Sequence, residues 1–290
     1  MKKAKFTLLS LLMLGSVTLS SCYVDLGFIQ FGEKEETKKE VYDEAAQKKH
    51  IKEYYASIDS SKSGDTLLSA LKSLNLSKRK KTIGYNSMGT TSGSYYKYTD
   101  YDPATVKFTE KGIPYGTKIL SFYSGKSTAL FNREHVWPDS RGGNKVEDDI
   151  FMPRPTINEE NSDRGNSVYK TGMTSDKNGW DPVAAFQNTI GVYKNIRGEC
   201  ARIIFYCMTA ADGLVLNENT SNQNNNMGLL SDLLQWACEN PVNDREKRRQ
   251  VGGEYLQGNR NAFVDHPEYA CKIWGSSNPS ACQAAGYSTN

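Results

Sequence analysis

The chain has 290 residues, enough for one large domain or two small ones, and 36 Lys and Arg stand against 33 Asp and Glu. Lys2, Lys3 and Lys5 sit in the first 21 residues, which hold no acid, so the remainder is balanced. That balance excludes a polybasic, charge-driven binder of nucleic acid, and any phosphate contact has to be local.

At the N-terminus the three lysines precede an apolar stretch, Phe6 to Leu19, too short to span a bilayer comfortably. Leu19-Ser20-Ser21-Cys22 follows and resembles a bacterial lipobox. Residues 1–21 then read as a lipoprotein signal peptide, with Cys22 lipidated and the chain anchored to a membrane outside the cytoplasm, or released to the exterior. Residues 22–49, with Glu33-Lys34-Glu35-Glu36-Thr37-Lys38-Lys39-Glu40 at their centre, read as a charged, solvated tether, helical toward its end.

From His50 to Leu76 the apolar spacing predicts two short amphipathic helices split at Ser60 to Asp65, where Asp65 can cap the second. Lys78-Arg79-Lys80-Lys81 reads as a solvated helix end. Between Ile83 and Lys126, Gly, Ser, Thr and Tyr dominate, with strand-like runs at Thr105–Phe108 and Lys118–Tyr123. Downstream, helices are expected from Asp181, over 190–208, over 227–239 and, as a charged helix, over 244–256. With Cys22 assigned to lipid, five cysteines remain, and an oxidising compartment should pair some of them. Cys271 and Cys282 could staple the C-terminal tail, residues 276–290. Cys200 and Cys207 lie two helical turns apart, too far to bond to each other. Pairing of one of them with Cys238 is expected.

The middle of the chain carries the chemistry. Phe131-Asn132-Arg133-Glu134-His135-Val136-Trp137-Pro138 sets a carboxylate directly before one of only three histidines. On an extended strand these two side chains point to opposite sides, so a loop or bulge would be needed to aim both at one phosphate. A polar loop, a second strand around Asp149 to Met152, and a turn at Pro153-Arg154-Pro155 are expected next. Thr156 can cap a helix that carries Asn161. A histidine near its neutral pKa is a suitable base for water, and Glu134 with Asn161 supplies the oxygen ligands a hard cation prefers. The other histidines read differently: His266 as a packing residue and His50 as a surface one. No HExxH motif occurs, which argues against a metalloprotease.

Asn-Arg-Glu-His-Val-Trp-Pro, Arg154-Pro155-Thr156, Asn161 and Asp163-Arg164-Gly165-Asn166 resemble the bacterial endonuclease I family of His-Me finger (ββα-metal) nucleases. So do Ala201 to Tyr206, Leu233 to Trp236, Asn240-Pro241-Val242 and Asn259 to Tyr269, with weaker echoes at Tyr54-Tyr55 and Tyr98-Thr99-Asp100. The resemblance implies an α+β fold, a mixed helical domain over 50–275 around a ββα-metal hairpin-helix core at about 128–170, acting as a monomer. It implies that His135 is the general base and that Glu134 and Asn161 hold Mg²⁺, or another hard cation such as Mn²⁺ or Ca²⁺. It further implies non-specific cleavage of DNA, and possibly RNA, to 5′-phosphate products. An arginine would steady the phosphate, with Arg141 the first choice and Arg154 the second. Met152 and Phe151 stand where relatives often carry Asn or His to brace the catalytic loop, and Asn144 could substitute. That departure leaves a second reading open: a catalytically impaired surface lipoprotein that binds extracellular DNA.

Overall fold

The structure is a computed structural model that describes residues 44–174, 179–221 and 225–289. The signal peptide, Cys22 and the tether up to residue 43 lie outside the described residues. Helix α1 (Glu44–Tyr54) begins within the stretch read as tether, and Gln47 on it is buried. Helix α2 (Gly64–Lys78) buries Leu67, Leu71 and Leu74, an i, i+4, i+7 stripe. Asp65 lies in its first turn and Ser63 occupies the cap position. A short α3 (Tyr85–Met88) follows.

Three antiparallel ribbons come next. β1 (Val106–Phe108) pairs with β2 (Pro114–Gly116), and β3 (Ile119–Leu120) with β4 (Ser127–Thr128). β5 (Asn132–His135) pairs with β6 (Pro153–Thr156), and α4 (Asn158–Arg164) follows one residue later. The second strand is therefore not at Asp149 to Met152, as expected, but at the proline-bounded segment read as a turn. A two-stranded ribbon has only edges, where the missing N–H groups of Pro153 and Pro155 cost little. Asp149 to Met152 is instead a turn, pinned because Asp149 accepts from the Phe151 N–H, the Tyr206 hydroxyl and the Arg79 guanidinium.

The rest is helical: α5 (Pro182–Phe186), α6 (Ile196–Ala210), then, after the parallel pair β7 (Val215–Leu216) and β8 (Asn226–Met227), α7 (Leu230–Glu239), α8 (Asp244–Gln257), α9 (Ala262–Asp265), α10 (Glu268–Trp274) and α11 (Pro279–Ala284). The architecture is α+β. Helix α6 is buried on nearly every side between α2, α7 and α9, including its charged residues Glu199 and Arg202. Among the described residues no helix is long and apolar enough to cross a membrane.

Helix α8 shows how a charged sequence becomes core. Its Asn243 cap and Glu246 form a reciprocal capping box, yet Arg245, Glu246 and Arg249 are buried. Arg245 meets Glu199 on α6 at 2.6 Å, Glu246 meets Arg202 at 2.6 Å, and Arg249 pairs with Asp100. Each charge is neutralised and hydrogen-bonded, the condition under which burial is tolerable.

Cys271 and Cys282 form a disulfide that ties α11 to α10. The expected pairing of Cys238 with Cys200 or Cys207 does not occur. Both α6 thiols are buried and free, and the Cys238 sulfur lies 3.6 Å from that of Cys271.

Candidate active site

Two tethers lay α4 along β5. At one end the Asn132 amide donates to Asn158 Oδ1 at 2.9 Å. At the other, Arg164 donates to the carbonyls of His135 (3.0 Å) and Val136 (2.7 Å). Asn161 lies midway along α4, between the residues that make these ties. Glu160 fixes the start of the helix, accepting from the hydroxyls of Ser121 (2.6 Å) and Thr156 (2.7 Å). Thr156 thus serves the helix through Glu160, and the cap position falls to Ile157.

Glu134 is 2 % exposed. Its Oε1 accepts the Tyr123 hydroxyl at 2.6 Å and lies 3.6 Å from Arg164 Nη1. Its Oε2 takes no hydrogen bond among the described residues. Burial pushes this carboxyl up to about 7, against the pull of Arg164 and Tyr123. In metal-free buffer the native state therefore binds more protons here than the unfolded chain, and the contribution to stability is full below the usual glutamate pKa and lost as pH rises through 7. Glu134→Gln should accordingly be more stable than wild type at pH 8, by about 3 kcal/mol at most. The gain should vanish in acid, as urea titrations at the two pH values would show.

His135 occupies the other face. Its ring lies 4.6 Å from that of Tyr85, and Nε2 is 3.3 Å from Glu147 Oε2. No bulge interrupts the β5–β6 register through His135↔Pro153, so Glu134 and His135 flank the end of β5 from two sides. Burial pushes the imidazole below its ordinary pKa, with Glu147 pulling the other way. Arg133, on the same face as His135, stacks its guanidinium 4.0 Å from the Tyr85 ring centre. Its Nη1 donates to the carbonyls of Tyr85 (3.0 Å) and Asn86 (3.4 Å), and it forms no ion pair among the described residues.

Neither arginine expected to steady a phosphate offers a free guanidinium. Arg141 donates to the carbonyls of Asn166, Thr220, Ser221 and Asn226, clamping two loops. Arg154 is fully buried, 2.7 Å from Asp100 and 2.6 Å from Glu199. Asn144 is exposed and makes no side-chain hydrogen bond among the described residues, while Met152 is core. The brace on His135 comes instead from Glu147, Tyr85 and Arg164. Sequence reasoning missed the first two, since neither stands in a motif or at a periodic spacing. The remaining histidines are structural: His266 stacks on Tyr269 at 4.6 Å, and His50, half-buried rather than at the surface, pairs with Glu254.

The Endonuclease I family model matches residues 63–268, which contain β5, β6 and α4 with Glu134, His135 and Asn161. The chain belongs to the endonuclease I family. An extracellular ribonuclease of Bacillus amyloliquefaciens is 33 % identical over 243 residues, 77 % of this chain and 78 % of that protein. An extracellular ribonuclease of Bacillus subtilis is 34 % identical over 172 residues, 52 % of this chain and 56 % of its own length. This endonuclease I family member is a hydrolase acting on nucleic acid.

Proposed function

We propose that the protein is a divalent-metal-dependent, sequence-non-specific endonuclease that cuts DNA and RNA to 5′-phosphate products, with a His-Me finger core formed by β5, β6 and α4. The observation that carries this is Glu134: a buried carboxylate with one oxygen unbonded among the described residues, on the strand against which α4 is tied, and α4 carries an Asn161 amide that makes no side-chain hydrogen bond among the described residues. Such an oxygen pair fits a hard cation, for which burial and a high carboxyl pKa leave an uncompensated need. Bound there, Mg²⁺, Mn²⁺ or Ca²⁺ would supply positive charge for the phosphoryl and leaving oxygens.

The chain's own residues do the rest. Glu147 accepts from Nε2–H of a neutral His135, which leaves Nδ1 to take the proton of the attacking water. Water oxygen bonds to phosphorus, the bond to the 3′-oxygen breaks, and the 5′-phosphate remains on the product. Arg133, held by Tyr85 beside His135, is the cation best placed to meet a backbone phosphate, and such contacts carry no sequence information. The impaired-binder reading rested on Met152, and the brace from Glu147 removes that motive.

The test is incubation of plasmid DNA and of RNA with the protein in Mg²⁺, Mn²⁺, Ca²⁺ and EDTA. Intact nucleic acid in every metal would reject the reading. The extracellular relatives and the lipobox-like Leu19-Ser20-Ser21-Cys22 support an exported, lipid-anchored enzyme. Cys22→Ser should move nuclease activity from the membrane fraction to the soluble one, and unchanged fractionation would contradict the anchor.

A further inference from the structure

Away from β5, three elements converge on a surface of tyrosines and cations. The 3-10 turn Tyr95–Tyr98 brings Tyr98, β2 brings Tyr115, and α8 brings Tyr255. The Tyr98 ring lies 6.1 Å from that of Tyr115 and 5.4 Å from that of Tyr255. Tyr98 and Tyr115 are half-buried, and Tyr255 is 40 % exposed. Beneath them a small separate apolar cluster, Ile113 with Val251, packs against Tyr98. Gly252 keeps α8 close, since a Cβ there would meet the Tyr98 carbonyl oxygen at 2.0 Å. The rings therefore sit on a rigid base.

Cations stand beside them. Lys97 Nζ stands 5.3 Å from the Tyr98 ring centre. Lys107 is directly opposite Tyr115 in the β1–β2 register, and so shares its face. Arg248 lies two turns before Tyr255 on α8, over the Tyr101 ring. None of these three cations has an ion pair among the described residues. Of the neighbouring carboxylates, Glu110 is exposed in the β1–β2 turn and three others are engaged elsewhere. Asp100 is buried against Arg154 and Arg249, Asp102 accepts the Ala104 N–H, and Glu254 holds His50 and Arg260.

We propose that Tyr98, Tyr115 and Tyr255, with Lys97, Lys107 and Arg248, form a second nucleic-acid surface that holds a single-stranded stretch of the substrate outside the cleavage site. Aromatic rings stack on unpaired bases without reading sequence, and unpaired cations beside them track the phosphates. A duplex hides its base faces, so the surface favours single strands. The proposal rests on the nuclease reading only for the identity of its ligand.

The test is fluorescence anisotropy of a labelled single strand of about 12 nucleotides with the whole protein in EDTA. Tyr115→Ser with Tyr255→Ser should weaken binding by about tenfold or more, and Lys107→Glu should weaken it and flatten its salt dependence. Tyr98 is left in place because it packs on Ile113 and Val251, and thermal melting verifies the fold of each variant. Cleavage of a dinucleotide in Mg²⁺ should be unchanged in all of them. Wild-type affinity in both variants, no binding by wild type, or equal loss of affinity for a duplex of the same length would overturn the proposal. Absence of dinucleotide and plasmid cleavage by wild type would instead count against the active-site reading and leave the anisotropy result standing.

Discussion

Alanine at position 135 is expected to slow phosphodiester cleavage by about 10²–10⁴-fold, the usual cost of losing a general base, with the urea midpoint close to wild type. The ring is partly exposed and its contacts are with Tyr85 and Glu147, so its removal leaves no buried group unsatisfied. Glu147→Gln sharpens the test. The Glu147 carboxylate favours the protonated imidazole, and burial disfavours it. Without that charge the His135 pKa should fall further, and the acid limb of the kcat/KM profile should move to lower pH. A limb that stays put or moves upward would mean that another group is the base.

Arg154→Ala should produce the largest loss of stability, about 3–5 kcal/mol, because it breaks a buried ion network at its centre and leaves Asp100 and Glu199 each with one cation, Arg249 and Arg245, instead of two. Arg154 bridges β6 to α6 through these carboxylates, and Arg245 and Arg249 extend the same network to α8. Urea unfolding would report the loss as a lower midpoint. A stable variant with a raised KM for nucleic acid would instead place Arg154 against the phosphate, contrary to its burial.

The ribbon-helix core was legible because its chemistry is local. Glu134, His135 and Asn161 lie within 28 positions, and a proline-rich strand leading into a polar helix leaves a recognisable pattern. The strand itself was misplaced by one segment, since Pro153 and Pro155 argue for a turn unless the ribbon is known to be all edge. The arginines were illegible for a different reason. Arg141 and Arg154 look like phosphate ligands in a motif, but their carbonyl and carboxylate partners, such as Thr220 and Glu199, come from distant segments. Helix α8 was legible as a charged helix, but its burial was not, because the partners of its charges on α6 come from another segment. Glu147 could have been noticed only as a carboxylate in the loop after β5.

The most direct measurement is the Mg²⁺ dependence of plasmid and RNA cleavage, wild type beside Glu134→Gln. Wild type should be silent in EDTA and rise with free Mg²⁺, and Glu134→Gln should need at least about tenfold more metal or fail to cut. Cleavage by wild type that persists in EDTA, or a Glu134→Gln curve that overlays the wild-type one, would contradict a metal site built on Glu134.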